Sequence, residues 1–340
     1  MLAWKPHGDG GCRRMMAKRK AVRGALRSAL VALALVGAPA AMLAAQPAQA
    51  TSLYDLPKYA AILVDAKTGE VLYSRRPDAP RHPASITKVM TLYLLFEAIE
   101  TGEISMRDHL TFSARAAGQA PSKLPTRKGD SITVEDAIKA LTVKSANDVA
   151  VAVAERLGGT EADFAEMMTK KGRYLGMKNT RFVNANGLPN PNHTTTARDI
   201  AILSMATLQH FPQYYKYFSE PEFAYANQVM KSHNRLLKNM PGADGIKTGY
   251  TVAAGFTLAA SAQRDGKRLI AVVLGGPSTM ARDQNVQALL EAGFDVMKSR
   301  AIGMKTTVAS YMSEPSDVPG FELPPGIEQG SGDGTGVPKR

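Results

Sequence analysis

Ser85-Ile86-Thr87-Lys88 is the most informative stretch of this sequence, because two further short motifs follow it in a fixed order. They are Ser145-Ala146-Asn147 and Lys247-Thr248-Gly249. A serine three residues before a lysine is expected about once in a chain of this length, so the first motif alone has little value. The ordered set S-x-x-K, S-x-N and K-T-G is informative, since each motif also lies in a suitable local pattern.

The residues around Ser85 predict the start of a helix. Pro83 precedes it, which is a favoured place for proline, and residues 86–96 form a mostly apolar run. Serine and lysine three residues apart then share one helix face, in the first turn, where free N–H groups favour developing negative charge. The alternative is that Ser85 caps the helix and Lys88 is a solvated helix residue.

The second motif is predicted to join two helices. Apolar spacing predicts helical residues 134–143 and 147–157, the latter closed by Gly158-Gly159. The Ser145 hydroxyl and the Asn147 amide would then lie at the junction, able to pass a proton and to hold a substrate amide. In the alternative, Asn147 or Asp148 simply caps the second helix.

Lys-Thr-Gly occurs twice, and only the second copy is a candidate site. Lys67-Thr68-Gly69 separates two strand-like runs and is predicted to be a hairpin turn. Lys247-Thr248-Gly249 opens a strand-rich region that continues through residues 256–274. A cation and a hydroxyl on an exposed strand suit a carboxylate, and glycine allows a substrate backbone to approach closely.

The three motifs resemble those of the serine D-alanyl-D-alanine carboxypeptidases, a family of low-molecular-mass penicillin-binding proteins. The similarity extends over about residues 53–300 and includes further landmarks at residues 65–73, 186–189, 196–201 and 244–251. It implies an α/β (α+β) fold of the β-lactamase/transpeptidase type. Three layers are expected, with an antiparallel sheet built from both ends of the chain and a helical subdomain inserted into it.

The chemistry of these groups suggests an acyl-serine hydrolase. Ser85 would attack, and Lys88 would take its proton if burial and the charge of Lys247 lower the lysine pKa. Ser145 would pass a proton to the leaving group. Asn147 would hold the substrate amide, while Lys247, Thr248 and Gly249 would receive its carboxylate.

The resemblance adds further roles and the substrate. It implies that the backbone N–H groups of Ser85 and Tyr250 form an oxyanion hole, and that Arg282 lies near the carboxylate. A surface or helix-capping arginine is the alternative for Arg282. The implied substrates are peptidoglycan stem peptides that lose a terminal D-alanine, with β-lactams as covalent inhibitors. No cofactor or metal is expected.

Other functions fit the sequence less well. A DD-endopeptidase of the same family shares the motifs. A class A β-lactamase would need a glutamate in the form E-x-x-x-N, and Glu222 to Asn227 is one residue too long. A catalytically inactive wall-binding protein would not need a serine and a lysine spaced for proton transfer, so this function is disfavoured. His82 offers an alternative base through a Ser-His-Asp triad, although Lys88 is better placed.

The first fifty residues predict export. Eight basic residues and one acid account for +7 of the net charge of +12, leaving +5 for the remainder, which argues against nucleic-acid binding. An uncharged stretch over residues 28–54 includes Ala48-Gln49-Ala50, so we expect a signal peptide, 1–50, cleaved near Ala50. An uncleaved membrane helix is the alternative. Cys12, the only cysteine, would leave with the signal.

The predicted domain organisation is simple. The carboxypeptidase domain covers residues 51–300, and a Pro- and Gly-rich tail over 301–340 is expected to be largely disordered. This tail cannot form an apolar helical face. We therefore expect a periplasmic or extracellular enzyme without a stable membrane anchor after signal cleavage.

Overall fold

A computed structural model of the chain describes residues 58–312. The predicted signal peptide and tail residues 313–340 lie outside the described part. Residues 301–312, assigned to the tail from the sequence, belong to the fold, because Val308 and Met312 are buried in a hydrophobic core.

The central element is a five-stranded sheet with the order β2-β1-β9-β8-β7, in which every neighbouring pair is antiparallel. Two strands come from before the helical region and three from after it. The sheet is therefore built from both ends of the chain, as predicted. The strands are β1 (Ala60–Asp65), β2 (Val71–Arg75), β7 (Ala243–Thr251), β8 (Gly255–Arg264) and β9 (Lys267–Gly276).

The region between β2 and β7 is mainly helical, with two small two-stranded sheets, β3-β4 and β5-β6. Its elements are α1 (Lys88–Glu100), β3 (His109–Thr111), α2 (Ala114–Ala117), β4 (Ser131–Thr133), α3 (Val134–Lys139), α4 (Asn147–Gly158), α5 (Glu161–Leu175), α6 (Ala197–His210), β5 (Glu222–Tyr225), β6 (Gln228–Lys231) and α7 (Leu236–Asn239). The last helix, α8 (Thr279–Ala301), follows the sheet.

Alternating side chains of the central strands supply two cores, one on each face of the sheet. Ile62 and Val272 pack into the core shared with the helical region. Leu63 and Val273, their neighbours in the chain, pack into the core on the other face, together with Leu289 of α8. The fold therefore has three layers, as predicted.

Several predicted boundaries needed correction. Residues 84–87 form a 3₁₀ turn, and the α-helix begins at Lys88. The helix predicted over 134–143 is α-helical only to Lys139 and continues as a π-helical segment over Ala140–Lys144. The closing helix begins at Thr279, because the Ser278 side chain caps it by accepting from the Ala281 N–H.

The first Lys-Thr-Gly copy is a turn, as predicted. Lys67 and Thr68 donate their backbone N–H groups to one carboxylate oxygen of Asp65, at 2.7 and 3.0 Å. This arrangement closes the connection between β1 and β2. The site must therefore be built around the second copy.

Candidate active site

Ser85 lies in a tight turn that is held in place by buried apolar neighbours. Ala84 and Ile86 are buried on either side of it, and Pro83 precedes the turn. Ala84 has a φ of 49°, an uncommon value for a residue with a side chain. Ser85 caps no helix, so the capping alternative is wrong.

Lys88 is fully buried, and its amine has three polar neighbours. Nζ lies 3.1 Å from the Ser85 hydroxyl oxygen. It also lies 2.7 Å from Oδ1 of Asn147 and 2.7 Å from the backbone carbonyl oxygen of Asn186. The predicted contact between serine and lysine is present, and the solvated alternative for Lys88 is wrong.

These contacts fix how a neutral Lys88 amine is oriented. The Asn186 carbonyl and the Asn147 Oδ1 atom can only accept hydrogen bonds. A neutral amine has two hydrogens and one lone pair, so both hydrogens are engaged by these two acceptors. The lone pair is left for the Ser85 hydroxyl, which is the direction that proton removal requires.

The surroundings of Lys88 favour that neutral form. Burial lowers the pKa of Lys88 well below its ordinary value of 10.5, and the positive charge of Lys247 lowers it further, while Asp148 acts in the opposite sense. Burial and then Arg282 lower the pKa of Lys247 to about 7. Both causes predicted for Lys88, burial and Lys247, are confirmed.

Asn147 is held so that its carbonyl oxygen faces Lys88. Its side-chain amide donates to the carbonyl of Ala120 at 2.8 Å, which identifies Nδ2, and its backbone N–H donates to the carbonyl of Ser122 at 2.7 Å. The N-cap of α4 is Ala146, so neither Asn147 nor Asp148 caps the helix as the alternative supposed.

Ser145 ends the π-helical segment in a left-handed conformation, with φ 62°. Its hydroxyl is buried and has no hydrogen-bond partner among the described residues. A buried hydroxyl without a partner is costly unless a ligand or water satisfies it. Ser145 also lines the cleft, so a substrate can reach it.

The third motif lies on β7, at the free edge of the sheet. Lys247 is buried, and its amine donates to the carbonyl of Thr248 at 3.0 Å. A Cβ atom at Gly249 would lie 2.8 Å from the Ser85 backbone nitrogen and 2.7 Å from Thr257 Oγ1. Only glycine therefore permits the strand to approach the nucleophile so closely.

Arg282 reaches the same cleft from the first turns of α8. It is 4% exposed, so the surface alternative is wrong. Its Nε and Nη2 atoms donate to Oδ1 of Asp283 at 2.9 and 2.7 Å, and Nη1 lies 3.3 Å from the Thr257 carbonyl.

The three motifs converge on one cavity of about 450 Å³. Residues predicted from the sequence that line it are Ser85, Ser145, Asn147, Thr248, Gly249, Tyr250 and Arg282. Lys88 and Lys247 are almost fully buried and are not among the lining residues. The described residues that line this cleft include no glutamate and no aspartate.

The sequence did not assign four further residues that belong to this site: Ser122, Asn186, His233 and Arg235. The stretch 186–189 was recognised as a family landmark, but no role was attached to it. Loss of hydration and then the positive charge of Lys247 lower the pKa of His233, so its ring is neutral at pH 7. His82 donates from Nδ1 to the His193 carbonyl at 2.9 Å and does not line the Ser85 cleft.

Known proteins identify the family. Residues 45–278 match the family described as Peptidase_S11, D-alanyl-D-alanine carboxypeptidase. The chain belongs to the D-alanyl-D-alanine carboxypeptidase family of serine peptidases. The predicted family is therefore confirmed.

Individual members of the carboxypeptidase family are similar over most of the chain. D-alanyl-D-alanine carboxypeptidase DacF of Bacillus subtilis is 34% identical over 79% of this chain and 70% of its own length. DacA of Haemophilus influenzae is 36% identical over 68% of this chain and 61% of its own length. The chain thus spans about two thirds of the length of these curated relatives.

Solved structures support the fold. Penicillin binding protein 5 from Haemophilus influenzae has a TM-score of 0.68 and 34% identity, covering 74% of this chain and 72% of that one. Penicillin-Binding Protein D2 from Listeria monocytogenes, solved with ampicillin bound, has a TM-score of 0.64 and 32% identity. The match covers 69% of this chain and 96% of the Listeria chain. Within residues 58–312, no helix has the length and apolar character needed to span a bilayer.

Proposed function

We propose that the chain is a serine DD-carboxypeptidase that removes the terminal D-alanine from peptidoglycan stem peptides through an acyl-serine intermediate. The proposal rests on the three polar contacts of the Lys88 amine. A neutral amine whose two hydrogens are held by Asn147 and Asn186 presents its lone pair to Ser85, so the serine can be deprotonated as it attacks.

The other cleft residues are given the roles that the family resemblance implies. The Ser85 oxygen bonds to the carbonyl carbon of the penultimate D-alanine, and its proton passes to Lys88. The backbone N–H groups of Ser85 and Tyr250 stabilise the oxyanion, each contributing roughly 3 kcal/mol. The unpartnered hydroxyl of Ser145 relays a proton to the leaving amine, and the C–N bond breaks.

The substrate carboxylate is assigned to the cationic end of the cleft. Arg282 and Thr248 both line the cleft, and the charge of Lys247 lies close enough to affect both Lys88 and His233. A buried guanidinium is well suited to a carboxylate, because it offers several donors in one plane. Water then hydrolyses the acyl-enzyme and regenerates Ser85.

Turnover of peptide and slow release of β-lactam are expected together. No carboxylate lines the cleft among the described residues, so deacylation must use Lys88 and Ser145 again. A departing D-alanine leaves room for water, whereas the leaving group of an opened β-lactam stays attached. Ampicillin is bound in the similar Listeria protein, which supports β-lactams as ligands here.

The deciding experiment measures two reactions of the same preparation. A diacyl-L-Lys-D-Ala-D-Ala peptide is assayed for released D-alanine, and a penicillin adduct is followed by stopped-flow acylation and a deacylation chase. Catalytic D-alanine release with a slowly decaying adduct supports the proposal. Rapid penicillin hydrolysis without D-alanine release would instead assign the chain to the serine β-lactamases, and preferential cleavage of cross-linked dimers would indicate an endopeptidase.

We further propose that the enzyme is exported and cleaved near Ala50, with a catalytic domain that extends from residue 51 to about residue 312. The basic start, the uncharged stretch and Ala48-Gln49-Ala50 support this. N-terminal sequencing of the protein released by osmotic shock should begin near Thr51. An intact N-terminus in the membrane fraction would favour the anchored alternative.

A further inference from the structure

Asp283 is a buried carboxylate that the proposed reaction does not use. It is 8% exposed and follows Arg282 directly on α8. Oδ1 accepts from both Nε and Nη2 of Arg282, whereas Oδ2 is buried and has no hydrogen-bond partner among the described residues. Burying a carboxylate is costly unless it is paired. The side-chain contacts that offset this cost are those with Arg282.

This contact does not follow from helix geometry alone. Consecutive side chains of an α-helix point about 100° apart, so neighbours in the chain do not normally face each other. The Arg282 side chain must therefore turn toward Asp283 to make both hydrogen bonds. It starts in a confined space, because a Cβ atom added at Gly276 would lie 3.2 Å from the Cβ atom of Arg282.

The two hydrogen bonds to Asp283 use one edge of the guanidinium group. The group is planar and has five N–H donors, and Nε and Nη2 share an edge. The carbonyl oxygen of Thr257 lies 3.3 Å from Nη1 and accepts from it. The described contacts leave one hydrogen on each of Nη1 and Nη2. Two donors on adjacent terminal nitrogens suit the two oxygens of a carboxylate.

Thr257 also anchors the guanidinium beside the third motif. It lies opposite Gly249 in the ladder formed by β7 and β8. A Cβ atom at Gly249 would lie 2.8 Å from the Ser85 backbone nitrogen, so the strand is next to the nucleophile at this point. Arg282 itself lines the Ser85 cleft. The guanidinium is therefore held where the strand approaches Ser85.

We propose that Asp283 is a positioning residue, which holds one edge of Arg282 so that the remaining hydrogens of Nη1 and Nη2 face the terminal carboxylate of the substrate. Asp283 is not among the residues that line the cleft, so it acts through Arg282. A buried ion pair adds little net stability, so its main effect is to orient the guanidinium. This inference rests on the proposed carboxypeptidase function, in which Arg282 receives the carboxylate.

Benzylpenicillin and its methyl ester test the orientation, because both can acylate Ser85 and only the first has a free carboxylate. Asp283→Leu removes the acceptor oxygens. It should slow acylation by benzylpenicillin about tenfold, the effect of losing one hydrogen bond to a charged group, and leave acylation by the ester within about twofold. With the D-Ala-D-Ala peptide, the loss should appear in KM while kcat stays within about twofold.

Asp283→Asn separates orientation from charge. This variant loses the negative charge but keeps an acceptor oxygen for Arg282, so it should acylate with benzylpenicillin at least as fast as the unchanged protein. If Asp283 acted through its charge alone, the Asn and Leu variants would both react faster with benzylpenicillin, because the charge of Arg282 would no longer be offset. That result would overturn the proposal.

Glu291→Leu is the matched control. Glu291 lies on the same helix and accepts from Arg264 Nη2 at 2.8 Å, outside the cleft lining. Its replacement also removes the acidic partner of an arginine, and it should leave both acylation rates unchanged. Equal losses with benzylpenicillin and the ester in Asp283→Leu would show a general effect on the fold and would overturn the positioning role.

Arg282→Leu separates this inference from the proposed function. If Arg282→Leu lost the preference for benzylpenicillin over its ester and Asp283→Leu kept it, the role of Asp283 would be overturned and the carboxypeptidase would stand. An unchanged preference in Arg282→Leu would overturn the assignment of Arg282 to the carboxylate, and the inference with it. Release of D-alanine from the peptide, assayed on the unchanged protein, tests the carboxypeptidase independently.

Discussion

The backbone carbonyl oxygen of Asn186 accepts a hydrogen bond from Lys88 Nζ at 2.7 Å, across 98 positions of the chain. This contact brings the loop before α6 into the centre formed by Ser85 and Lys88. Two hydrogen bonds hold Asn186 in place. Its side chain donates to Gln119 Oε1 at 3.0 Å and accepts from the Leu188 N–H at 2.9 Å. A small movement of this loop would therefore change the direction of the lysine lone pair.

Gly187→Ala should disturb that loop. A Cβ at Gly187 would lie 1.8 Å from the Ala84 carbonyl oxygen, and φ is +86°. The loop must shift, so we expect a loss of roughly 1–3 kcal/mol in the free energy of unfolding and a large fall in the acylation rate. Thermal denaturation and penicillin acylation kinetics measure the two effects.

Gly176→Ala is the matched control for that prediction. Its φ is +97°, so it carries a similar backbone penalty, but a Cβ there meets nothing within 4 Å. It should lose some stability and keep its acylation rate. Equal acylation by both glycine variants would show that the contact between Gly187 and Ala84 is unimportant for Ser85.

Ser85 should be the residue that a β-lactam acylates. Incubation with a penicillin should add one drug mass per chain, on the tryptic peptide that contains Ser85, and Ser85→Ala should abolish the adduct. Lys88→Arg should slow acylation by roughly 10²–10⁴-fold, because an arginine stays protonated and cannot act as a base. Peptide mass spectrometry and stopped-flow rates measure both; undiminished labelling in Ser85→Ala would contradict the assignment.

The pH profile of kcat/KM should reflect the ionisation of Lys88 and of Lys247. Lys88 must be neutral to accept a proton, so kcat/KM rises with pH through its lowered pKa. Lys247 must be charged to attract the substrate carboxylate, so kcat/KM falls above its pKa of about 7, approaching about tenfold per pH unit. Lys247→Arg keeps the charge at all accessible pH values and should remove the alkaline limb. An alkaline limb that persists in Lys247→Arg would point to a different group.

Asp148 does not line the cleft, but it should influence the acid limb of the pH profile of kcat/KM. It is completely buried and accepts from the Leu124 N–H at 3.1 Å and from the Thr126 hydroxyl at 2.8 Å. Because its charge opposes the lowering of the Lys88 pKa, Asp148→Asn should move the acid limb of kcat/KM to lower pH. Thr126→Val removes one of the hydrogen bonds without removing the charge, so its acid limb should stay in place.

Asp130→Asn is the control for charge in the same region. Asp130 is exposed and accepts from the Arg127 N–H at 2.7 Å, outside the cleft lining. It should leave the pH profile unchanged. If Asp148→Asn and Asp130→Asn gave superimposable profiles, Asp148 would have no electrostatic effect on Lys88.

The sequence was sufficient wherever a local pattern determines the geometry. Helical spacing predicted that Lys88 meets Ser85, and the strand-like runs on both sides of Lys67-Thr68-Gly69 separated the two Lys-Thr-Gly copies. The sequence failed at the 3₁₀ turn before Lys88 and at the π-helical segment before Ser145. Tertiary packing decides these, because their hydrogen bonding differs from an α-helix by only one residue per turn.

Residue types at short spacing were enough to identify the family and the three motifs, and to predict strands on both sides of a helical region. The folded chain was needed to show that the Asn186 carbonyl reaches Lys88 and that Arg282 is buried beside Asp283. A backbone carbonyl has no side-chain signature, and its position depends on contacts between residues far apart in the chain. The lowered pKa of Lys88 likewise depends on how completely the folded chain excludes water from its amine.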